Sequence, residues 1–169
     1  MNFCSRCGGR LRETVLETES RQRLVCEQCG HIFYQNPKLV AGAIPVQDGK
    51  VIMLRRGIDP RKGFWTFPGG FLEMDETVEE AAIRETKEET NLDVIVTALL
   101  DVYTRPGTGI VLVVYLASVL GGTPTVGDEA AEVASFAPSE IPWDLLAFET
   151  TEWALRDWVK MLDRPESTA

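Results

Sequence analysis

Apolar residues in this chain gather into short runs separated by turn-forming residues, and the runs define the elements. Lys38 to Val46 reads as a strand, Gln47-Asp48-Gly49-Lys50 as a tight turn, and Val51-Ile52-Met53-Leu54 as the hairpin partner. Ile58 to Gly63, with Pro60, reads as a loop, and Phe64-Trp65-Thr66-Phe67 as a short strand ending at Pro68-Gly69-Gly70. Thr77 to Thr90 is the clearest helix, because Thr77-Val78-Glu79-Glu80 fits a capping box and Asn91 suits a left-handed C-terminal position. Strands over Asp93 to Thr104 and Ile110 to Ser118 flank Arg105-Pro106-Gly107-Thr108-Gly109. A loop from Gly121 to about Ala131 leads to a last strand, Glu132 to Ala137, and an amphipathic helix, Thr150 to Leu162. The tail after Arg164 is expected to fray.

The first 34 residues follow a different pattern, with few large apolar side chains, several turn glycines and all four cysteines. Gln35-Asn36-Pro37 marks the join, since the residue before a proline leaves the helical region. The expected organisation is therefore a small module over residues 1–34 and a larger domain over 35–165, which a chain of 169 residues accommodates.

Composition narrows the function classes. With 44% hydrophobic and 25% charged residues the chain reads as globular, and its longest apolar run, Ile110 to Leu120, falls short of the ~18 residues that cross a bilayer. No membrane partner is expected. The N-terminal Met-Asn-Phe-Cys-Ser-Arg lacks the apolar stretch of a secretory signal, so a cytoplasmic location is expected. A net charge of −9 argues against broad nucleic-acid binding, which needs a basic footprint. An acidic protein still acts on an anionic substrate where divalent cations mediate the contact.

Cys4-x2-Cys7 and Cys26-x2-Cys29 are two knuckles, each followed by a glycine, Gly8 and Gly30. Their spacing suits four thiolates converging on one structural Zn²⁺, with disulfides or a redox-active pair as the alternatives. Zinc binding supplies on the order of 10–16 kcal/mol in comparable peptides, which a segment this small cannot obtain from an apolar core. His31 reads as a turn or surface residue because four thiols already complete the set.

On the helix, Glu85, Glu88 and Glu89 stand at i, i+3 and i+4 and share one face, while Ile83, Thr86 and Thr90 lie opposite and pack inward. Three like charges so placed repel by several tenths of a kcal/mol per pair. Hard divalent cations prefer oxygen ligands and would neutralise them. A solvated acidic face balanced by Arg84 and Lys87 is the alternative.

The stretch from Gly70 to Leu92 resembles the Nudix box, Gly-x5-Glu-x7-Arg-Glu-φ-x-Glu-Glu-x-Gly-φ, with φ apolar. Gly70, Glu76, Arg84, Glu85, Glu88, Glu89 and Leu92 match; Thr86 replaces an apolar residue, Asn91 the final glycine, and Asp75 stands where many relatives have glycine. The resemblance implies an α/β fold, an α/β/α sandwich with a mixed sheet preceded by a zinc ribbon. It implies Mg²⁺ or Mn²⁺ on Glu85, Glu88, Glu89 and the Gly69 carbonyl, an Arg84–Glu76 pair bracing the loop, and Glu73 in positioning. The general base is then a box glutamate or one from Gly127-Asp128-Glu129-Ala130-Ala131-Glu132; Glu129 and Glu132 equally fit solvated loop charges.

Tyr34-Gln-Asn-Pro-Lys38, Gly63-Phe-Trp-Thr-Phe-Pro-Gly-Gly70, Glu140-Ile-Pro142 and Leu146-Ala-Phe148 extend the likeness to a zinc-ribbon Nudix group that includes the plant chloroplast FAD and ADP-ribose pyrophosphatases. It implies hydrolysis of a nucleoside diphosphate derivative, ADP-ribose or FAD first, and a homodimer. The NADH pyrophosphatases share this layout, but their Ser-Gln-Pro-Trp-Pro-Phe-Pro segment is absent, so NADH ranks lower. A nucleotide sensor using its ribbon to contact nucleic acid or protein is the rival from another class. Trp65, Phe67, Phe33, Tyr34, Tyr103 and Phe148 are candidates for base stacking or for core; Arg55, Arg56 and Arg105 are candidates for gripping a phosphate or ribose.

Overall fold

The computed structural model describes residues 1–16 and 20–162; the tail expected to fray lies outside them. The chain divides into two compact units, Met1–Asn36 and Pro37–Ala169.

The first unit is a three-stranded antiparallel sheet, β1 (Leu11–Val15), β2 (Gln22–Cys26) and β3 (Ile32–Phe33). These strands have no clear apolar period, which is why the sequence did not announce them. Their core is small: Cys4, Leu11 and Cys26 are buried, with Leu24 and Phe33 packed against them. A core of that size cannot hold such a unit alone, so it depends on its cysteines.

The second unit has one mixed sheet, built from β4 (Lys38–Gln47), β5 (Lys50–Arg56), β8 (Asp93–Thr104), β9 (Ile110–Gly121) and β10 (Ala130–Phe136) in the order β10-β5-β4-β9-β8. Two short strands are added, β6 (Trp65–Thr66) on β5 and β7 (Gly69–Phe71) on β4. Only β4 and β9 run parallel; the other pairings are antiparallel. The turn joining β4 to β5 has Asp48 at φ 52° and Gly49 at φ 74°, the two positive values that a tight hairpin with right-handed twist needs.

Two helices cover the two faces. Helix α1 (Val78–Thr90) lays Ala81 and Ala82 on Ala41, Ala43, Ile52 and Tyr115. Helix α2 (Glu149–Leu162) lays Ala154, Leu155 and Trp158 on Ile44, Met53 and Val114. Burying side chains such as Leu155 stabilises by about 1.5–3 kcal/mol each. Alternate residues of β4 and β5 feed opposite cores, as expected of a sheet covered on both faces. The layers are those of an α/β/α sandwich. Among the described residues no helix is long and apolar enough to cross a membrane.

Most elements fall where the apolar pattern put them; beyond shifts at the ends of β5, β10 and α2, three differences stand out. Gly69–Phe71, expected as loop, is a strand: Ala41 opposes Gly70 and Gly42 opposes Gly69 in its ladder with β4. β6 covers only Trp65–Thr66, and β9 runs on to Gly121. Pairing with a neighbour, which no local pattern encodes, sets all three limits.

Candidate active site and metal centre

Local chemistry fixes where α1 begins and ends. The Thr77 side chain accepts from the Glu80 amide at 3.2 Å while the Thr77 amide donates to the Glu80 carboxylate at 2.8 Å, so the capping box is complete. Asn91 closes the helix at φ 58°, with its amide on the Lys87 carbonyl. Thr86 and Thr90 are fully buried on the inner face, their hydroxyls satisfied by the Ala82 and Thr86 carbonyls. Threonine therefore fills the position where the motif wants an apolar residue, hiding its hydroxyl inside the helix.

The inner face fixes the outer one. Arg84 donates through Nε and Nη2 to both oxygens of Glu76, at 2.9 and 2.7 Å. Its Nη1 reaches Glu85 at 2.8 Å and Glu88 at 3.2 Å, and Nη2 also reaches the Phe71 carbonyl. The two-pronged pair braces the 71–77 loop against the helix and holds the Glu76 carboxyl down at about 2, helped by the Glu73 amide. The same contacts raise the Arg84 pKa further above its ordinary value.

Glu85 and Glu89 press against the glycine strand. A Cβ on Gly70 would overlap the Glu85 carboxylate, so the close approach depends on glycine. The Gly69 amide donates to Glu89 at 2.9 Å, which ties the glycine strand to the carboxylate face. Burial raises the Glu89 pKa to about 7 against the pull of that amide, with Glu85 and Glu129 adding to the rise. Burial also raises Glu85 above the usual carboxylate range. Glu88 is exposed. Three carboxylates on one face, Glu85 and Glu89 partly withdrawn from water and Glu85 and Glu88 sharing a single arginine, suit a hard divalent cation. They are not gathered around a point: among the described residues the only three or more metal-binding side chains with ligand atoms all within 4.8 Å are the four cysteines.

Those thiols form a compact knot. Cys7 Sγ lies 3.4 Å from Cys26 Sγ and 3.3 Å from Cys29 Sγ, and Cys4 Sγ lies 3.9 Å from Cys29 Sγ. A tetrahedron with Zn–S bonds of about 2.3 Å has edges of about 3.8 Å, close to these separations. The Arg6 and Gly9 amides point at Cys4 and Cys7 sulfurs at 3.4 Å, and Gly8 and Gly30 take the positive φ of 74° and 68° that the knuckles require. Backbone amides of Cys29 and Gln28 bring the Cys26 pKa down to about 6, in the direction of the thiolate that a metal takes. His31 stays outside the knot.

Against known proteins, the sequence profile of the NUDIX domain matches residues 36–159, and that of the Nudix N-terminal zinc ribbon matches residues 2–35.

The chain belongs to the NUDIX family.

A crystal structure of a NUDIX hydrolase from Nitrosomonas europaea is 37% identical, superposes with a TM-score of 0.91 and covers 98% of this chain and 95% of that one. An ADP-ribose pyrophosphatase of Methanocaldococcus jannaschii is 37% identical over 132 residues, 76% of each chain. An NAD-capped RNA hydrolase, NudC, of Vibrio atlanticus is 34% identical over 95 residues, 56% of this chain but 33% of that protein. The Nudix chain is thus a hydrolase of phosphorus-containing anhydrides with a zinc-ribbon module.

The Nudix fold separates candidates that sequence left level. Glu132 opposes Arg55 across the β10–β5 ladder and pairs with it at 3.6 Å. Both follow the register of Met53, Ala134 and Phe136, which face the α2 core. Glu129 instead lies in the loop packed on α1, and its charge bears on Glu85 and Glu89. Sequence reasoning placed that loop but missed its docking on the helix: the Gly127 amide donates to the Glu89 carbonyl at 3.2 Å and the Thr125 amide to the Thr90 carbonyl at 3.0 Å, satisfying the open end of the helix. A Cβ on Gly127 would overlap the Glu88 carbonyl, and that glycine was the available signal. Of the aromatic candidates, Trp65, Phe67 and Tyr103 are core, whereas Tyr34 and Phe148 are exposed.

Proposed function

We propose that this Nudix enzyme is a Mg²⁺-dependent pyrophosphohydrolase. It splits the diphosphate of a nucleoside diphosphate derivative, ADP-ribose or FAD, into a mononucleotide and a phosphorylated partner. The observation that carries the reading is the arrangement of Glu85 and Glu89: half-buried, pressed on Gly69 and Gly70, and raised in pKa by that burial. Glu85, Glu88 and Glu89 would hold the cation, with Mn²⁺ as a substitute. When bound, the metal polarises the phosphate and lowers the pKa of the attacking water.

The chain's own residues do the rest. Arg84 and Glu76 keep the glycine strand and the helix in register, so that Glu85 and Glu89 face the same space. Glu129 is the candidate for taking the proton from the attacking water, in preference to Glu132, because its charge is the one that acts on the carboxylate pair. In the ribbon, Cys4, Cys7, Cys26 and Cys29 hold a structural Zn²⁺ with no open position, in keeping with their tetrahedral spacing and a reducing cytoplasm.

The Methanocaldococcus relative supports ADP-ribose, and the NudC relative supports a dinucleotide as the second reading. Incubation with Mg²⁺ and ADP-ribose, FAD or NADH in ¹⁸O-water, followed by mass analysis of the products, tests both. ADP-ribose or FAD is expected to yield AMP fastest, with ¹⁸O in one phosphate. Faster NADH cleavage favours the second reading. Tight binding with no turnover of any of the three contradicts hydrolysis and favours a sensor.

A further inference from the structure

The sheet of the larger unit ends on β8, and this edge lacks the usual protection. Natural sheets blunt an edge with a short strand, a lysine or a proline. β8 has 12 residues, against about five or six in an ordinary strand, and Asp-Val-Ile-Val-Thr-Ala-Leu-Leu-Asp-Val-Tyr-Thr contains neither lysine nor proline. Among the described residues its backbone pairs with β9 alone. The Val102 amide is taken by the Asp101 carboxylate at 2.6 Å, and the ladder with β9 shifts register at Thr97 and Leu100. Contact along such an interrupted edge falls mainly to side chains.

Those side chains are apolar. Leu99 and Val102 lie opposite Tyr115 and Val113, which belong to the core beneath α1, yet they are 56% and 46% exposed. Ile95 lies opposite Ser118 on the other face and is half exposed. On α2, Trp153 stands one turn from Glu149 and one turn from Asp157, which meet Arg105 at 3.0 Å and the Tyr103 hydroxyl at 3.1 Å. This half-exposed tryptophan therefore borders the same edge. Beside Val94 the edge opens into a groove of about 360 Å³ between α1 and β8, lined by Ile83, Lys87, Leu92, Asp93 and Val94. A continuous apolar surface of this kind marks a contact with another macromolecule.

The charges at its two ends select the occupant. The Lys87–Asp93 pair, at 2.8 Å, stands at one end of β8 and the Arg105–Glu149 pair at the other, with Leu99 midway between Asp93 and Arg105. A second chain turned antiparallel about Leu99 brings the Asp93 of each to the Arg105 of the other. It also brings the Val102 of each beside the Val94 and Val96 of the other, and all three side chains point to the α1 side. A parallel neighbour would instead set Asp93 on Asp93 and Asp101 on Asp101. We propose that β8 is a dimer interface, packed antiparallel on the β8 of a second copy about a twofold axis at Leu99, with each Val102 at the mouth of the other chain's groove. The contact is isologous, so it closes at two chains. Its apolar centre and charged rim match the anatomy of a protein interface.

Sedimentation velocity on the zinc-loaded full chain tests this. The parent is expected to sediment at twice the 18.8 kDa of one chain. L99D and L99K each set like charges together at the axis and should weaken association at least about tenfold, with the melting transition unchanged because Leu99 is exposed. An equimolar mixture of L99D and L99K should recover the dimer, since unlike charges then meet at the axis. V102A should weaken association less than either. A parent that stays at 18.8 kDa at every concentration would overturn the proposal and leave the edge to a different partner. So would a parent dimer that neither L99D nor L99K weakens, or a mixture of the two that remains monomeric.

Discussion

The thiolate knot of the ribbon and the carboxylate face of α1 are both clusters of metal-binding side chains, and they are built in opposite ways. In the ribbon the four sulfurs are already closed to tetrahedral separations, and backbone amides aim at them. On α1 the carboxylates are held apart by their neighbours: Arg84 draws Glu85 and Glu88, and the Gly69 amide draws Glu89. A knot that uses every ligand on one ion leaves no position for a substrate, so it stabilises. A face whose ligands are like-charged, spread out and only in part buried keeps room for a cation, water and phosphate together.

The sharpest way to break the comparison is to damage each cluster and see which property fails. Replacing Cys7→Ser, or stripping zinc with a chelator, should unfold the ribbon, with loss of bound zinc and of its strand signal, while the core on which α1 and α2 pack still melts cooperatively. Unchanged zinc content in that variant would show that the ligand set is different. Glu89→Gln should do the reverse, lowering kcat at least ~100-fold with the melting transition preserved. Near-normal turnover would remove Glu89 from the metal assignment.

Gly70→Ala is a finer probe, because its methyl displaces the Glu85 carboxylate without altering any charge. A loss of about tenfold in kcat/KM is expected, read by steady-state kinetics, with weaker Mg²⁺ dependence as its signature. The smallest effect is on pH dependence. In metal-free protein Glu89 titrates at about 7, above the ordinary value of 4.5, so between these values the folded state binds more protons than the unfolded state. Denaturant melts should therefore show stability rising as pH falls from about 7 towards about 4.5, and saturating Mg²⁺ should flatten the slope. At lower pH the sign reverses, because Glu76 is held down at about 2 and its contribution fades as it protonates.

Much of this was legible in the chain itself, for physical reasons that differ by element. The ends of α1 were readable because Thr77, Glu80 and Asn91 act locally, through bonds spanning at most four residues. The four thiols were readable because knuckle spacing alone constrains them. The roles of Glu129 and Glu132 were not, since three residues and a bulge in β10 send their side chains into different surroundings. Nor was the fate of Arg55 and Arg56, adjacent on β5, of which one meets a carboxylate across the ladder and the other an aromatic ring. Such distinctions depend on pairing between distant strands. The cap that residues 123–127 place on the carboxylate helix is of the same kind.

The central claim is that one flank of α1 binds the divalent cation of the reaction. Titrating Mn²⁺ into the zinc-loaded protein, with free Mn²⁺ followed by electron paramagnetic resonance, tests it directly. The account predicts saturable binding that Glu89→Gln weakens at least tenfold while zinc content is unchanged. Mn²⁺ binding of equal strength in the parent and in Glu89→Gln would contradict it.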